Sequence, residues 1–271
     1  MSIYGDFENM VTRTNDRQVK SPQDGCALDE RAVREDLAAC YRLAHHFKWT
    51  DLVYNHISAR VPGREHQYLL NPFGLAYEEV TASNLVKVDP SGELVDGGSH
   101  VINKAAFVIH GAIHTARPDV ACIIHTHTLH GAAVSCLDDG FQPLTQGGMQ
   151  FHERIAYHDY EGIAVDEDEC ARLADDLGSH NAMILRNHGL ITCGDSIGRA
   201  FSRMYYLEQA CEVQLLAMSA GGGVRLAPAD VRERTARQWE RIDETTGTVS
   251  ELPEWSALRR WLDRNDPGYR E

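Results

Sequence analysis

The segment Ala121 to His130, ACIIHTHTLH, carries four apolar residues straight into alternating histidine and threonine. Apolar residues followed by β-branched threonine read as a strand. Side chains alternate faces along a strand, so His125 and His127 point one way while Thr126 points the other. No other stretch constrains the fold so tightly: a strand must end where it delivers two imidazoles to one face. Two readings stand open here. The pair holds one metal ion, or two polar residues simply leave a strand for solvent.

The neighbouring segments predict a mixed architecture. DERAVREDLAACYRLAHHFKW reads as a helix with Val33, Leu37, Tyr41 and Leu43/Ala44 on one stripe and Asp29 as N-cap. YNHISARVP and HQYLLNP read as strands around the turn PGREH, and a short helix, a strand and a DPSG turn follow. INKAAFVIHGAIHTAR reads as a helix ended by Arg117-Pro118, and the strand ACIIHTHT leads into a Gly/Ala-rich helix. RIAYHDYEGI contains a short strand near a turn, DECARLADDLG a helix stopped by Gly178, and AMILRNHGLITCG a strand hairpin. A long helix from Ser196 is closed by glycines, with Tyr205 and Tyr206 read as core residues. Residues 228–271 read as two polar helical segments anchored by Trp239, Trp255 and Trp261. Strands and helices mix without regular βαβ alternation, so the class is α/β with a largely antiparallel sheet. The division expected is a polar arm over 1–28, a main domain over 29–225 and a helical extension over 226–271.

A formal charge of −14 over 271 residues argues against nucleic acid or an anionic membrane as partner, since both recruit clustered Lys and Arg. No apolar run approaches the roughly 20 residues that span a bilayer, and the first residues are not those of a signal peptide. The seven cysteines show no CxxC pairing and several sit in apolar contexts, as reduced core residues of a cytosolic protein do.

A third histidine, His188, lies in MILRNHGLITCG, followed by Gly189, which would let backbone approach closely. Alone it reads equally as a loop residue. With the His-x-His strand it completes a set of three imidazoles, which hold Zn²⁺ or a similar ion and leave a coordination position open, the catalytic rather than the structural arrangement.

HTH at 125–127 and RNHGL at 186–190, with the long gap between them, resemble the class II aldolase/adducin family from about Asp29 to Gly223. INKAAFVIHGAIHTARPDV, YHDYEGI and TDLVYNHISARV resemble its adducin-like branch. The resemblance implies a three-layer αβα fold around a mainly antiparallel sheet and a homotetramer with sites between subunits. It also implies a divalent metal on His125, His127 and His188, with zinc foremost and iron or manganese as alternatives.

The chain departs from the family's sugar-phosphate aldolases at informative places. Their acid/base glutamate falls, counting back from ARPD, on Ala106; their serine pair falls on Lys104 and Ala105. The phosphate loop Gly-Asn-x-Ser becomes Asn55-His56-Ile57-Ser58. Sugar-phosphate cleavage by the usual route is therefore not expected. His110 and His114 lie one and two turns beyond Ala106, so the three share a helix face, and His110 is the candidate general base. Lys104 suits a substrate carboxylate, and His56 is a second candidate substrate-binding group. His158, Asp159 and Tyr160 read as a turn, or as a polar cluster able to reach a neighbour's site. The leading function is a metal-dependent lyase acting on a small oxygenated acid or carbonyl compound, by aldol-type cleavage or decarboxylation. An Fe(II)-dependent oxidative decarboxylase on the same histidines comes second, and a non-catalytic adducin-like scaffold third.

Overall fold

The computed structural model of the chain describes residues 30–64, 66–89, 92–95, 100–163, 167–245 and 252–271, with side chains further excluded at 104, 105, 107, 167, 168, 170 and 241–245. The N-terminal arm and Asp29 lie outside them, as does part of each of the turns PGREH and DPSG.

Seven strands make one sheet: β1 (His56–Arg60), β2 (Tyr68–Leu70), β3 (Val86–Val88), β4 (Cys122–Thr126), β5 (Ala156–His158), β6 (Ala182–Leu185) and β7 (Gly189–Gly194). Their order is β3-β2-β1-β4-β7-β6-β5. Every pairing is antiparallel except β5 with β6, which run parallel. That exception has a reason: β5 and β6 are joined through the helix α4 (Glu167–Leu177), and a helical crossover returns the chain in the same direction.

Alternation along the strands makes the sheet apolar on both faces and gives three layers. Ile57, Cys122, Ile124, Ala182, Ile184 and Leu190 join a core with α1 (Glu30–His46) and α5 (Ile197–Ser219). Ile123, Met183, Leu185, Ile191 and Cys193 face the other way, onto α2 (Lys104–Ala116) and α4. The expected stripe of α1, Val33, Leu37, Tyr41, Leu43 and Ala44, is buried. The short helix α3 (Leu129–Ser135) follows β4 and packs on α5.

The C-terminal helices α6 (Ala229–Thr245) and α7 (Pro253–Asn265) are tied to this body. Arg154 grips Glu233 and Glu240 of α6 at 2.8 and 2.5 Å. Trp255 and Leu262 of α7 are buried in the α1/α5 core, and Arg259 pairs with Asp36 of α1. Trp239 donates to Gln146 O at 3.1 Å, and Trp261 packs on His46.

Candidate metal centre

The sheet register brings the site together. β1 pairs with β4 so that His56 stands opposite His125 and Ser58 opposite Ile123. Cross-strand partners share a face, so His56, Ser58 and His125 all point toward the α2 layer. β7 pairs with β4 on the other side, and the β6–β7 turn lays His188 beside the end of β4.

Two local features seat that turn. Asn187 adopts φ +55°, a left-handed conformation that asparagine tolerates better than most residues. At Gly189 an added Cβ would lie 2.3 Å from Thr126 O, so only glycine lets the turn close on β4. Ser135 of α3 then accepts the His188 amide through Oγ at 3.1 Å.

The three Nε2 atoms of His125, His127 and His188 converge. His125 Nε2 is 2.9 Å from His127 Nε2, which is 2.9 Å from His188 Nε2. Outer partners fix two of the rings. His125 Nδ1 lies 3.0 Å from the Leu190 carbonyl, an acceptor, so Nδ1 carries the proton and Nε2 a lone pair. His127 Nδ1 likewise donates to Asp51 Oδ2 at 2.8 Å. Ring nitrogens this close need a positive charge shared between them, a proton or a metal cation. These three nitrogens would hold a divalent ion, since three imidazoles leave a coordination position open. Among the described residues this is the group of His, Cys and acidic side chains arranged to hold a metal.

Electrostatics agree with that geometry. Burial, then the neighbouring histidines, hold His125 well below the ordinary imidazole range, and burial brings His188 down to about 4. Neutral rings are what a metal ligand requires. His125 is buried whereas His127 and His188 are partly exposed, so the cluster opens to solvent on one side.

Behind the cluster lies a second layer of side chains. The His56 ring centroid is 4.9 Å from that of His125, and its Nδ1 is 3.0 Å from His110 Nε2. His110 Nδ1 is 2.7 Å from Ser58 Oγ, which is 2.9 Å from His114 Nε2. His110 thus has both ring nitrogens engaged, and His56 stands between it and the cluster. Ala106 shares the helix of His110 and His114 and is buried, packed on Tyr68, Leu70, Val86 and Val88 and lining a small cavity with Ser58, His110 and His114. Lys104 begins α2, and its side chain lies outside the described residues. His158 is buried and donates through Nδ1 to Asp176 Oδ2 at 2.7 Å, tying β5 to α4, while exposed Tyr160 reaches within 6.4 Å of the His188 ring.

Sequence reasoning missed Asp51 and Glu208. Asp51 orients His127 across 76 residues of chain, and no spacing rule covers such a distance. Glu208 of α5 accepts from Thr128 Oγ1, His130 Nδ1 and the Gly131 amide at 2.5, 2.9 and 3.0 Å, fixing the segment just after the His-x-His strand. A cavity of about 470 Å³ lined by Arg154, Asn181, Arg203, Glu233 and Trp239 sits at the opposite end of β6 from His188 and contains none of these groups.

The chain is thus an α/β protein with a three-histidine cluster at the end of the central strand of a mainly antiparallel sheet. Comparison with known proteins is specific: residues 35–215 match the sequence profile described as Class II Aldolase and Adducin N-terminal domain, and the chain belongs to that family. A Pseudomonas aeruginosa protein provisionally named aldolase class 2 protein is 46% identical over 89% of this chain and 93% of its own. Alpha-adducin of Rattus norvegicus is 42% identical over 96% of this chain, which spans 36% of the adducin. Among solved structures, an aldolase II superfamily protein from Pseudomonas syringae superposes with TM-score 0.82 at 44% identity, over 93% of this chain and 100% of that one. L-fuculose 1-phosphate aldolase from Glaciozyma antarctica superposes with TM-score 0.75 at 29% identity, over 89% and 93%.

Proposed function

We propose that the protein is a metal-dependent lyase acting on a small oxygenated acid or carbonyl compound, by aldol-type cleavage or decarboxylation. One observation carries this reading: three imidazoles converge through Nε2, two of them fixed from outside by hydrogen bonds, on a point open to solvent. His125, His127 and His188 would hold the ion, for which zinc suits the all-imidazole set. A divalent cation there supplies Lewis acidity, drawing electron density from a carbonyl or carboxylate oxygen.

The chain's own groups supply the rest. His56 faces the cluster and is the imidazole placed to meet a bound ligand; His110 acts through it and is a positioning residue. Lys104, at the start of α2, is the proposed partner of a substrate carboxylate. Ala106 offers no proton-transfer group, so an acid/base contribution of about 10² to 10⁴ in rate has to come from histidine. A pure scaffold would have no use for a converging metal set with its own outer hydrogen bonds. If the purified protein contains iron and consumes oxygen, the oxidative decarboxylase reading replaces the lyase.

The assembly proposed is a cytoplasmic homotetramer. Leu52, Leu129, Tyr160 and Ile163 are exposed on the segments around the site, a surface that a neighbouring subunit would cover. Sedimentation as a monomer at micromolar concentration would refute it.

The test of function pairs two ligand classes on the zinc-loaded protein. Small 2-keto and 4-hydroxy-2-keto acids should raise the melting temperature and the latter should be cleaved, while fuculose and ribulose phosphates should do neither. Efficient cleavage of a sugar phosphate would overturn the assignment.

A further inference from the structure

We propose that Glu208 of α5 is the positioning residue of the three-histidine centre, acting on all three rings through the short helix α3. The proposal rests on the metal reading above and not on the reaction. Glu208 is a largely buried carboxylate, and burying a charge is costly unless hydrogen bonds offset it. Among the described residues its bonds all go to one place: it accepts from Thr128 Oγ1, His130 Nδ1 and the Gly131 amide. Thr128 is the N-cap of α3, yet its hydroxyl makes no cap bond within the helix. A threonine N-cap ordinarily accepts from an amide two or three residues on. Here that amide, Gly131 N, is held instead by a carboxylate 77 residues away, and the threonine hydroxyl turns to the same carboxylate.

Three supports of the centre converge on α3. At its start, Thr128 directly follows His127, so the Thr128 bond fixes where the chain leaves the second histidine. Along its body, Gly131 lies against β7, where an added Cβ would stand 2.5 Å from Leu190 Cδ1. Leu190 supplies the carbonyl that accepts from His125 Nδ1, so α3 backs the residue that orients the first histidine. At its end, Ser135 accepts the His188 amide through Oγ and the Asn187 amide through its carbonyl, at 3.1 and 3.2 Å. The Leu137 carbonyl accepts from Arg186 at 2.8 Å, so the turn that presents the third histidine is secured to the same helix end.

A helix of seven residues has too few internal bonds to hold itself. It packs on α5 and β7, and Glu208 is the polar clamp at its first turn. Simple helix capping is the competing role, and the two differ in where loosening appears. Lost global stability opens every slow amide alike, whereas a lost anchor loosens α3 and the 186–188 turn selectively.

Amide hydrogen exchange on the metal-free protein, read residue by residue by NMR, tests this without any ion. In Glu208→Ala the amides of Ala132, Asn187 and His188 should exchange roughly tenfold faster while those of β2 and β3 keep their parental rates. Zn²⁺ binding, measured in competition with a chromophoric chelator, should weaken roughly 10- to 100-fold, the range for lost support of a metal-bound histidine. Glu208→Gln, which keeps an oxygen for Thr128 and Gly131, should recover most of both. Thr128→Val and His130→Phe each remove one of the three bonds and should shift both readouts the same way by less; they decide the matter if Glu208→Ala does not fold. Unchanged Zn²⁺ affinity in these variants, or acceleration spread equally over β2 and β3, overturns the proposal and leaves the metal reading standing. Selective acceleration in a protein that takes up no Zn²⁺ when it is supplied rejects the metal reading and keeps Glu208 as the anchor of the three rings.

Discussion

Ala106 shows how one small residue redirects a site. The family's aldolases place a glutamate at this alignment position; here the side chain is 2% exposed in a cluster with Tyr68, Leu70, Val86 and Val88. A carboxylate introduced there is desolvated and overfills a cavity of about 20 Å³, lined also by Ser58, His110 and His114, so it needs either protonation or a shift of α2. Ala106→Glu is therefore expected to destabilise the protein by about 2 kcal/mol or more, the scale of an unsatisfied buried polar group, without conferring sugar-phosphate cleavage. Urea unfolding of the two proteins measures this. A variant as stable as the parent would mean the position opens to the metal centre after all. The residue scale is also where the sequence was most legible. The His-x-His alternation and Gly189 could be interpreted from local rules alone, since strand periodicity and a glycine's lack of Cβ act within a few residues. Asp51 could not, because its partner His127 is reached only after the sheet has assembled.

Among elements, the antiparallel hairpin of β6 and β7 and the helix ending before Pro118 were plain from turn and periodicity signals. The pairing of β1 with β4 was not. Those strands are separated by two further strands and α2 in sequence, and nothing local in NHISAR announces that His56 will lie opposite His125. That one long-range pairing shapes the site, since it interposes His56 between the three-histidine cluster and His110. The parallel β5–α4–β6 unit was likewise absent from a reading that saw only irregular alternation, although both strands and the helix were recognised. What α4 gains by it is a tie from its carboxylate Asp176 to buried His158.

For the molecule as a whole, the buried histidines set a pH dependence. His56, His110 and His125 are held neutral well below the ordinary value near 6.5, and His114 at about 3. The unfolded chain takes up these protons as pH falls through 6.5, while the native state resists until much lower pH. The unfolded state therefore binds more protons below 6.5, and stability falls as pH falls. Each such histidine contributes up to about 1.4 kcal/mol per pH unit in that window. Metal-free protein should lose urea resistance steeply between pH 6.5 and about pH 5, ahead of carboxylate titration. His114→Phe should flatten that slope by one proton's worth. Stability that is level across the window would show that these rings are charged in the native protein.

The central claim is that this chain is built around one divalent ion on three histidines. Elemental analysis by mass spectrometry of protein purified without a metal-affinity tag tests it most directly, comparing the parent with His125→Ala and Asp51→Asn. The expected result is about one zinc per chain in the parent and none in His125→Ala at micromolar concentration. Asp51→Asn should bind roughly 10- to 100-fold more weakly, since it loses the carboxylate that orients His127. Full metal occupancy in His125→Ala, or a parent that takes up no divalent ion when it is supplied, would contradict the account.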